Sequence, residues 1–133
     1  MFSHFTIKYA NEVLPTVIKK FKGIVNLKDQ IVLIQNEMET NPKYMSSFKE
    51  YVIKKQELNT TISNFYKSIE DLESTGVMIK SVEDGLLDFP SIRFNEEVWL
   101  CWKEGETEIK FWHGKDEGFM GRKPLSVSDE SLV

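Results

Sequence analysis

Apolar residues recur at alternating spacings of three and four along the first 75 residues, which is the pattern of long amphipathic helices. The first run begins after Thr6, a residue suited to cap a helix N-terminus. Its apolar positions are Ile7, Ala10, Leu14, Val17, Phe21, Ile24, Leu27, Ile31, Ile34 and Met38. Pro15 is expected to kink this helix. Two consecutive spacings of three interrupt the regular repeat beside Gly23. Asn41-Pro42 predicts the boundary between this helix and a second one.

A second run with the same spacing follows this boundary. Its positions are Phe48, Tyr51, Lys55, Leu58, Ile62, Phe65, Ile69 and Leu72. Lys55 is the one polar member, and we expect its stem to pack while its amine reaches water. Gly76 supplies the left-handed residue that ends many helices, so the second helix should stop at residue 75. Residues 6–75 are therefore predicted to form an antiparallel helical hairpin.

Residues 77–113 change to short apolar runs separated by turn residues, which is typical of antiparallel strands. Asp84-Gly85 and the segment 94–97 indicate turns, and Pro90 indicates a bend or a strand edge. The predicted strand segments are Val77–Lys80, Leu86–Phe89, Val98–Trp102 and Glu108–His113. The predicted fold class is α+β: a long antiparallel helical hairpin, then a small three- to four-stranded antiparallel β-meander and an irregular C-terminal segment.

Alternation along the third of these strands assigns its side chains to two faces. Val98, Leu100 and Trp102 share one face, and Trp99 and Cys101 share the other. Both faces are apolar, so both need cover. We expect the hairpin to cover one face and the run 118–125, or a second subunit, to cover the other. One domain is predicted over residues 1–125, divided into 6–75 and 76–125, with a disordered tail at 126–133.

Composition narrows the class of protein. Hydrophobic residues make up 41% and charged residues 29% of 133 residues, which excludes a disordered or membrane-spanning chain. Residues 1–75 carry 10 Lys, no Arg and 9 acidic residues, and residues 76–133 carry 5 Lys, 2 Arg and 12 acidic residues. Neither half is basic enough to track a phosphate backbone, so no nucleic-acid partner is expected. Cys101 is the only cysteine and no signal peptide is recognisable, so we expect a cytoplasmic location.

The length of the hairpin bears on its partners. Two helices of about 30 residues each reach about 45 Å, and no other segment is long enough to cover them. We therefore expect a homodimer that forms through its helices, without a membrane contact.

Few residues are suited to catalysis or metal binding. No nucleophile motif, phosphate-binding loop, dinucleotide fingerprint or paired-cysteine metal site is present, and no cofactor is predicted. His113 ends a strand and Asp116 follows it closely, so this pair is a weak metal candidate. The candidate catalytic residues are His113, Asp116 and Asp88. The alternative is that a carboxylate or a backbone carbonyl orients His113 and nothing binds.

The arginines and tryptophans are candidate binding residues. The chain contains only two arginines, Arg93 and Arg122. The planar guanidinium of Arg can donate two parallel hydrogen bonds to one acceptor group, which the ammonium of Lys cannot do, so these two positions are candidates for such contacts. Arg122 is expected either to form an internal salt bridge with Asp88 or Asp116, or to bind an anionic ligand or a partner's carboxylate. Large aromatic residues on both faces of one meander also suggest a pocket or an interface. The candidate binding set is Trp102, Arg122, Trp99 and Arg93.

Several segments resemble a family of uncharacterised bacterial and archaeal proteins, the domain of unknown function numbered 2203. The motifs are Phe5-Thr6, Ala10-Asn11, Leu14-Pro15, Gly85–Pro90, Val98–Trp102, Phe111–His113, Gly118-Phe119 and Gly121–Leu125. Gly114 and Phe111 depart from the family pattern, which often has an acidic residue and a Tyr there. The resemblance implies a shared fold and no established activity. It associates the family's role with Asp88, Trp102, His113, Asp116, Gly121 and Arg122.

These observations favour a non-enzymatic module that binds a small ligand or another protein and dimerises through its helices. One alternative is a small metal-assisted or acid/base enzyme with a site around His113 and Arg122. The other is a coiled-coil scaffold. Convergence of His113, Asp116 and Arg122 on an open pocket would favour the enzyme.

Overall fold

The computed structural model of the chain describes residues 4–125, which form helices followed by a five-stranded antiparallel sheet. The helices are α1 (Ile7–Thr40), α2 (Lys43–Ser46) and α3 (Phe48–Glu73). The strands are β1 (Met78–Ser81), β2 (Leu86–Arg93), β3 (Glu96–Lys103), β4 (Phe111–Gly114) and β5 (Lys123–Pro124), side by side in chain order. The α+β class is confirmed. The tail predicted at 126–133 lies outside the described residues.

The chain groups into two compact units, whose boundaries lie inside α1 and α3. Lys20–Asp71 forms the hairpin unit, and the other described residues, 4–19 and 72–125, form the sheet unit. The single domain expected over residues 1–125 stays a prediction. Across residues 4–125, no helix combines the length and the apolar character that crossing a membrane requires.

Ion pairs inside the hairpin unit show that its two helices run antiparallel. Lys20, early in α1, pairs with Asp71 near the end of α3, and Glu37, late in α1, pairs with Lys54 near the start of α3 at 3.2 Å. The predicted stripe on α1 is largely buried, with Phe21 and Ile24 fully enclosed.

The stripe predicted on α3 is wrong at its beginning. Phe48 and Tyr51 are exposed, and Lys54 rather than Lys55 has the half-buried side chain. The helix is interrupted at Ser47, whose backbone is extended, and Ser47 Oγ accepts a hydrogen bond from Glu50 N as the new helix begins. All positions of the predicted run lie after this interruption, within α3, and the buried residues of that helix are Leu58, Thr61 and Leu72.

One face of the sheet forms the core of the sheet unit. Val98, Leu100 and Trp102 are buried on it, as the alternation predicted. The start of α1 supplies apolar residues to the same core. The buried residues of this segment are Phe5, Ile7, Ala10, Leu14 and Val17. Polar contacts link the two layers, because Ser91 Oγ donates to Phe5 O at 2.6 Å and Ile109 N donates to Asn11 Oδ1 at 2.7 Å.

The opposite face of the sheet lies under the C-terminal segment. The guanidinium of Arg122 stacks 3.9 Å from the centre of the Phe111 ring and 4.7 Å from that of Phe119. β5 adds a fifth strand that the sequence did not predict, because Lys123-Pro124 pairs with Phe111-Trp112 of β4. This segment covers the face that carries Cys101.

The turn between β2 and β3 contains a strained residue. Phe94 and Asn95 both have positive φ, at 52° and 63°, and Arg93 lies opposite Glu96. This is a two-residue turn of the primed type, in which Asn is well tolerated and Phe is not.

We expect Phe94→Asn to stabilise the protein by about 0.5 kcal/mol, because relief of backbone strain exceeds the loss of the exposed Arg93–Phe94 ring contact. Urea unfolding measures this difference. Phe94→Ala is the matched control: it loses the ring but keeps the strain, so it should destabilise. Equal effects of the two substitutions would contradict the explanation.

Candidate functional site

Three strands bring one carboxylate, one thiol and one imidazole together on the covered face of the sheet. Asp88 on β2 lies directly opposite Cys101 on the middle strand β3. His113 on β4 lies opposite Trp99, two residues along β3 from Cys101. Side chains at such diagonal positions remain within reach of one another when they are long. The short Cys101 side chain therefore lies between two longer ones that extend from the flanking strands.

The three side chains are packed closely and are shielded from solvent. Their donor atoms all lie within 4.8 Å of one another, and this is the one set of three metal-type donors found among residues 4–125. Asp88 is 2% exposed, Cys101 1% and His113 2%. Ionisable groups are rarely buried to this extent unless they are paired or coordinate a metal. We call this set the Asp-Cys-His cluster.

Both ring nitrogens of His113 face oxygen atoms. Nε2 lies 3.0 Å from Asp88 Oδ1, and Nδ1 lies 3.0 Å from the carbonyl oxygen of Gly114. A carbonyl oxygen only accepts, so Nδ1 carries a proton. A hydrogen bond between Nε2 and Asp88 Oδ1 also requires a proton. This proton lies either on Nε2, which makes the ring an imidazolium, or on the carboxyl group of Asp88.

Cys101 is a protonated thiol in this environment. Burial raises the pKa of Cys101 to about 12, and the negative charge of Asp88 acts in the same direction. The positive charge of Arg122 opposes this rise without cancelling it. Because the thiolate is the nucleophilic form, Cys101 is not suited to attack a substrate by itself.

A turn after β4 holds the carbonyl group that contacts His113. Glu117 N donates to Gly114 O at 3.0 Å, and Glu117 Oε1 accepts from Gly114 N at 2.8 Å and from Lys123 Nζ at 2.6 Å. The hydrogen bond from Lys123 is the main reason that the pKa of Glu117 is lowered. A Cβ at Gly114 would lie 2.9 Å from Glu117 Oε1, so a side chain there would push the Glu117 carboxylate out of this position.

Arg122 contacts a different carboxylate from the two that the sequence suggested. Its Nη2 donates to Glu106 Oε2 at 2.6 Å, so the expected pairing with Asp88 or Asp116 is wrong. The physical reason is that the loop after β3 brings Glu106 to the covered face, where its Oε1 also accepts from Lys103 N.

The other candidate residues lie apart from the cluster. Asp116 is exposed and is not a member of the cluster. Trp102 is buried on the opposite face, where its Nε1 donates to Glu106 O at 2.8 Å. Arg93 lies on that same opposite face, 5.0 Å from the centre of the Trp112 ring. The structure therefore brings Asp88 and His113 together and adds Cys101, which is not among the candidate residues that the sequence suggests.

Trp99 borders a groove on the covered face. The groove is lined by Glu73, Gly76, Val77, Met78, Pro90 and Trp99. Pro90, Trp99 and His113 occupy neighbouring positions across β2, β3 and β4, so the groove lies beside the Asp-Cys-His cluster.

The fold and the cluster together define a small α+β protein with a buried Asp, Cys and His set on an antiparallel sheet. The model of an uncharacterised conserved protein family, DUF2203, matches residues 3–125. The chain therefore belongs to this family, and the resemblance seen in the sequence motifs is confirmed. No curated protein and no solved structure matches the chain.

Proposed function

We propose that this chain is a non-enzymatic small-ligand-binding protein whose ligand is a Zn²⁺ ion held by Asp88, Cys101 and His113. The observation that carries the proposal is the convergence of three metal-type donors within 4.8 Å in a buried site. This proposal departs from the cofactor-free interpretation of the sequence, and it replaces Asp116 by Asp88 and Cys101 as partners of His113.

The chemistry of the donor set fits zinc. Thiolate sulfur, imidazole nitrogen and carboxylate oxygen are the three donor types that Zn²⁺ accepts in proteins. Zinc-binding histidines commonly donate their second N–H to a backbone carbonyl, and His113 Nδ1 contacts Gly114 O in this way. The raised pKa of Cys101 is no obstacle, since a coordinated thiol loses its proton to the metal's charge.

The test is a zinc titration of the full chain after metal removal with a chelator. We expect one Zn²⁺ per chain by elemental analysis, and a thiolate-to-cobalt charge-transfer band after substitution with Co²⁺. Cys101→Ser should abolish the band, and His113→Gln should weaken metal binding by at least about tenfold. The control is His4→Gln, which changes an exposed histidine.

Absence of tight zinc binding by the correctly folded wild-type chain would contradict the proposal. Equal zinc binding by wild type and His113→Gln would contradict it as well. Either result would favour the alternative that the cluster is a buried hydrogen-bond network.

An acid/base enzyme at His113 is less well supported. Both nitrogens of the imidazole already contact oxygen atoms of the chain, so neither is free to exchange a proton with a substrate. A metal-assisted enzyme would need the same zinc ion together with an open coordination position.

We also propose that the protein forms a homodimer through the hairpin unit. Large apolar side chains are exposed there: Val32, Leu33, Met45, Phe48, Ile53 and Tyr66. Exposed apolar groups of this size are typical of a surface that a partner covers. Sedimentation equilibrium tests the idea, and a strict monomer at tens of micromolar would contradict it. A coiled-coil scaffold would dimerise without binding zinc.

We place the chain in the cytoplasm as part of the same proposal. A reducing compartment keeps the thiol of Cys101 available as a ligand. Recovery of the protein in the membrane or secreted fraction of the cells that make it would contradict this location.

A further inference from the structure

We propose that a small monoanionic carboxylate completes the coordination of the zinc ion and is held in place by Arg122. The inference rests on the proposed zinc site and names a second ligand of that same site. It assigns Arg122 the role of an anion-binding residue.

The zinc ion would have one coordination position left after the protein has bound it. Four-coordinate geometry is usual for Zn²⁺, and the cluster supplies three donors. No fourth His, Cys, Asp or Glu joins this set among residues 4–125, and Glu106 instead accepts hydrogen bonds from Lys103 N at 2.7 Å and Arg122 Nη2 at 2.6 Å. The fourth position is therefore open to a small ligand.

Arg122 provides a hydrogen-bond donor that needs an acceptor. Its side chain is 12% exposed and lies between the rings of Phe111 and Phe119. Nη2 is bonded to Glu106, whereas Nε is buried and finds no acceptor among residues 4–125. A buried N–H without an acceptor is unfavourable, and an incoming anion would satisfy it.

The position of Arg122 in the sheet brings it close to the cluster. Its guanidinium stacks on Phe111, and Phe111 lies directly opposite Cys101 in the β3–β4 pair. The C-terminal segment that carries Arg122 covers the same face on which the three donors meet. An anion bound to the metal would lie on the same face of the sheet as the Nε–H of Arg122.

Charge favours a monoanion over a dianion. One Zn²⁺ with two anionic ligands and a neutral imidazole has no net charge, and Arg122 is already neutralised by Glu106. Each added negative charge must therefore be desolvated in a partly apolar site, which disfavours phosphate more than a carboxylate. Formate and acetate are the simplest probes of this class.

The test uses the full chain loaded with Co²⁺ and titrated separately with formate, acetate and inorganic phosphate. We expect formate and acetate to shift the visible cobalt spectrum with saturation, and phosphate to do so more weakly. Arg122→Gln should weaken carboxylate binding by about 10- to 100-fold without changing the number of cobalt ions bound. Arg122→Lys retains the charge but not the Nε–H, so it should also weaken binding.

The control is Lys110→Gln, which changes an exposed cation of the sheet unit and should leave the titration as in wild type. A cobalt spectrum that does not respond to carboxylates would overturn this inference and leave the zinc site standing. An equal response in wild type and the folded Arg122 variants, or tighter binding of phosphate, would overturn it too. Failure of the wild-type chain to bind cobalt at all would instead overturn the proposed function on which it rests.

Discussion

His113→Leu is expected to destabilise the metal-free protein by about 3–5 kcal/mol, and Asp88→Val by about 1–3 kcal/mol. The two effects differ because the residues left behind differ. Loss of His113 leaves a carboxylate that is 2% exposed without its imidazole partner, and a buried charge is costly. Loss of Asp88 leaves an imidazole, which needs no charge and keeps its hydrogen bond to Gly114 O.

The double variant Asp88→Val/His113→Leu separates a structural role of this pair from a functional one. We expect it to be within about 1 kcal/mol of wild type, because apolar replacement of a buried ion pair is often neutral or stabilising. Urea unfolding in the presence of a chelator measures all three variants. If the double variant loses as much free energy of unfolding as the two single variants together, the Asp88–His113 pair stabilises the fold. Its burial would then be explained by stability and would no longer support a functional role.

This comparison matters because stability alone does not explain a buried Asp-Cys-His cluster. Neighbouring positions of the sheet hold fully buried apolar residues such as Leu87 and Leu100, so the fold accommodates an apolar core easily. A polar set in the middle of such a sheet carries a desolvation cost that its hydrogen bonds must offset, and an apolar set does not carry this cost.

The sequence contained enough information to place Asp88 beside Cys101. The sequence predicts a turn over the four residues 94–97, whereas the turn in the structure has two central residues. A two-residue turn at Phe94-Asn95 places Arg93 opposite Glu96, and counting outward by five on each strand reaches Asp88 and Cys101. The length of this turn therefore determines which residues of β2 and β3 lie opposite one another, and a four-residue turn would give a different register.

His113 was not predictable in the same way. The connection between β3 and β4 covers residues 104–110 and is irregular, so its length does not fix the register. The buried face of α3 also includes polar Thr61 and the half-buried Lys54, so a pattern of apolar residues alone favours Lys55 instead of Lys54. Local periodicity predicted the elements, whereas the site depends on contacts between strands that are distant in the chain.

Glu117→Ala is expected to weaken zinc binding by about 10- to 100-fold, although Glu117 contributes no donor to the cluster. Its carboxylate accepts hydrogen bonds from Gly114 N and Lys123 Nζ, and its own N–H holds the carbonyl of Gly114. That carbonyl is the partner of His113 Nδ1, so Glu117 is a positioning residue for the imidazole. Competition with a chelator of known zinc affinity measures the change.

Two variants determine whether this effect acts through position. Glu117→Gln retains an oxygen that can accept from Gly114 N but loses the charge that attracts Lys123, so it should lie between wild type and Glu117→Ala. Asp116→Ala removes the neighbouring exposed carboxylate and should have no effect if only Glu117 orients the site. Urea unfolding of the metal-free variants provides the second readout, because a positioning role predicts a large change in zinc affinity with little change in stability. Equal weakening of zinc binding by Asp116→Ala would instead return Asp116 to the metal site, as its closeness to His113 in the sequence first suggested.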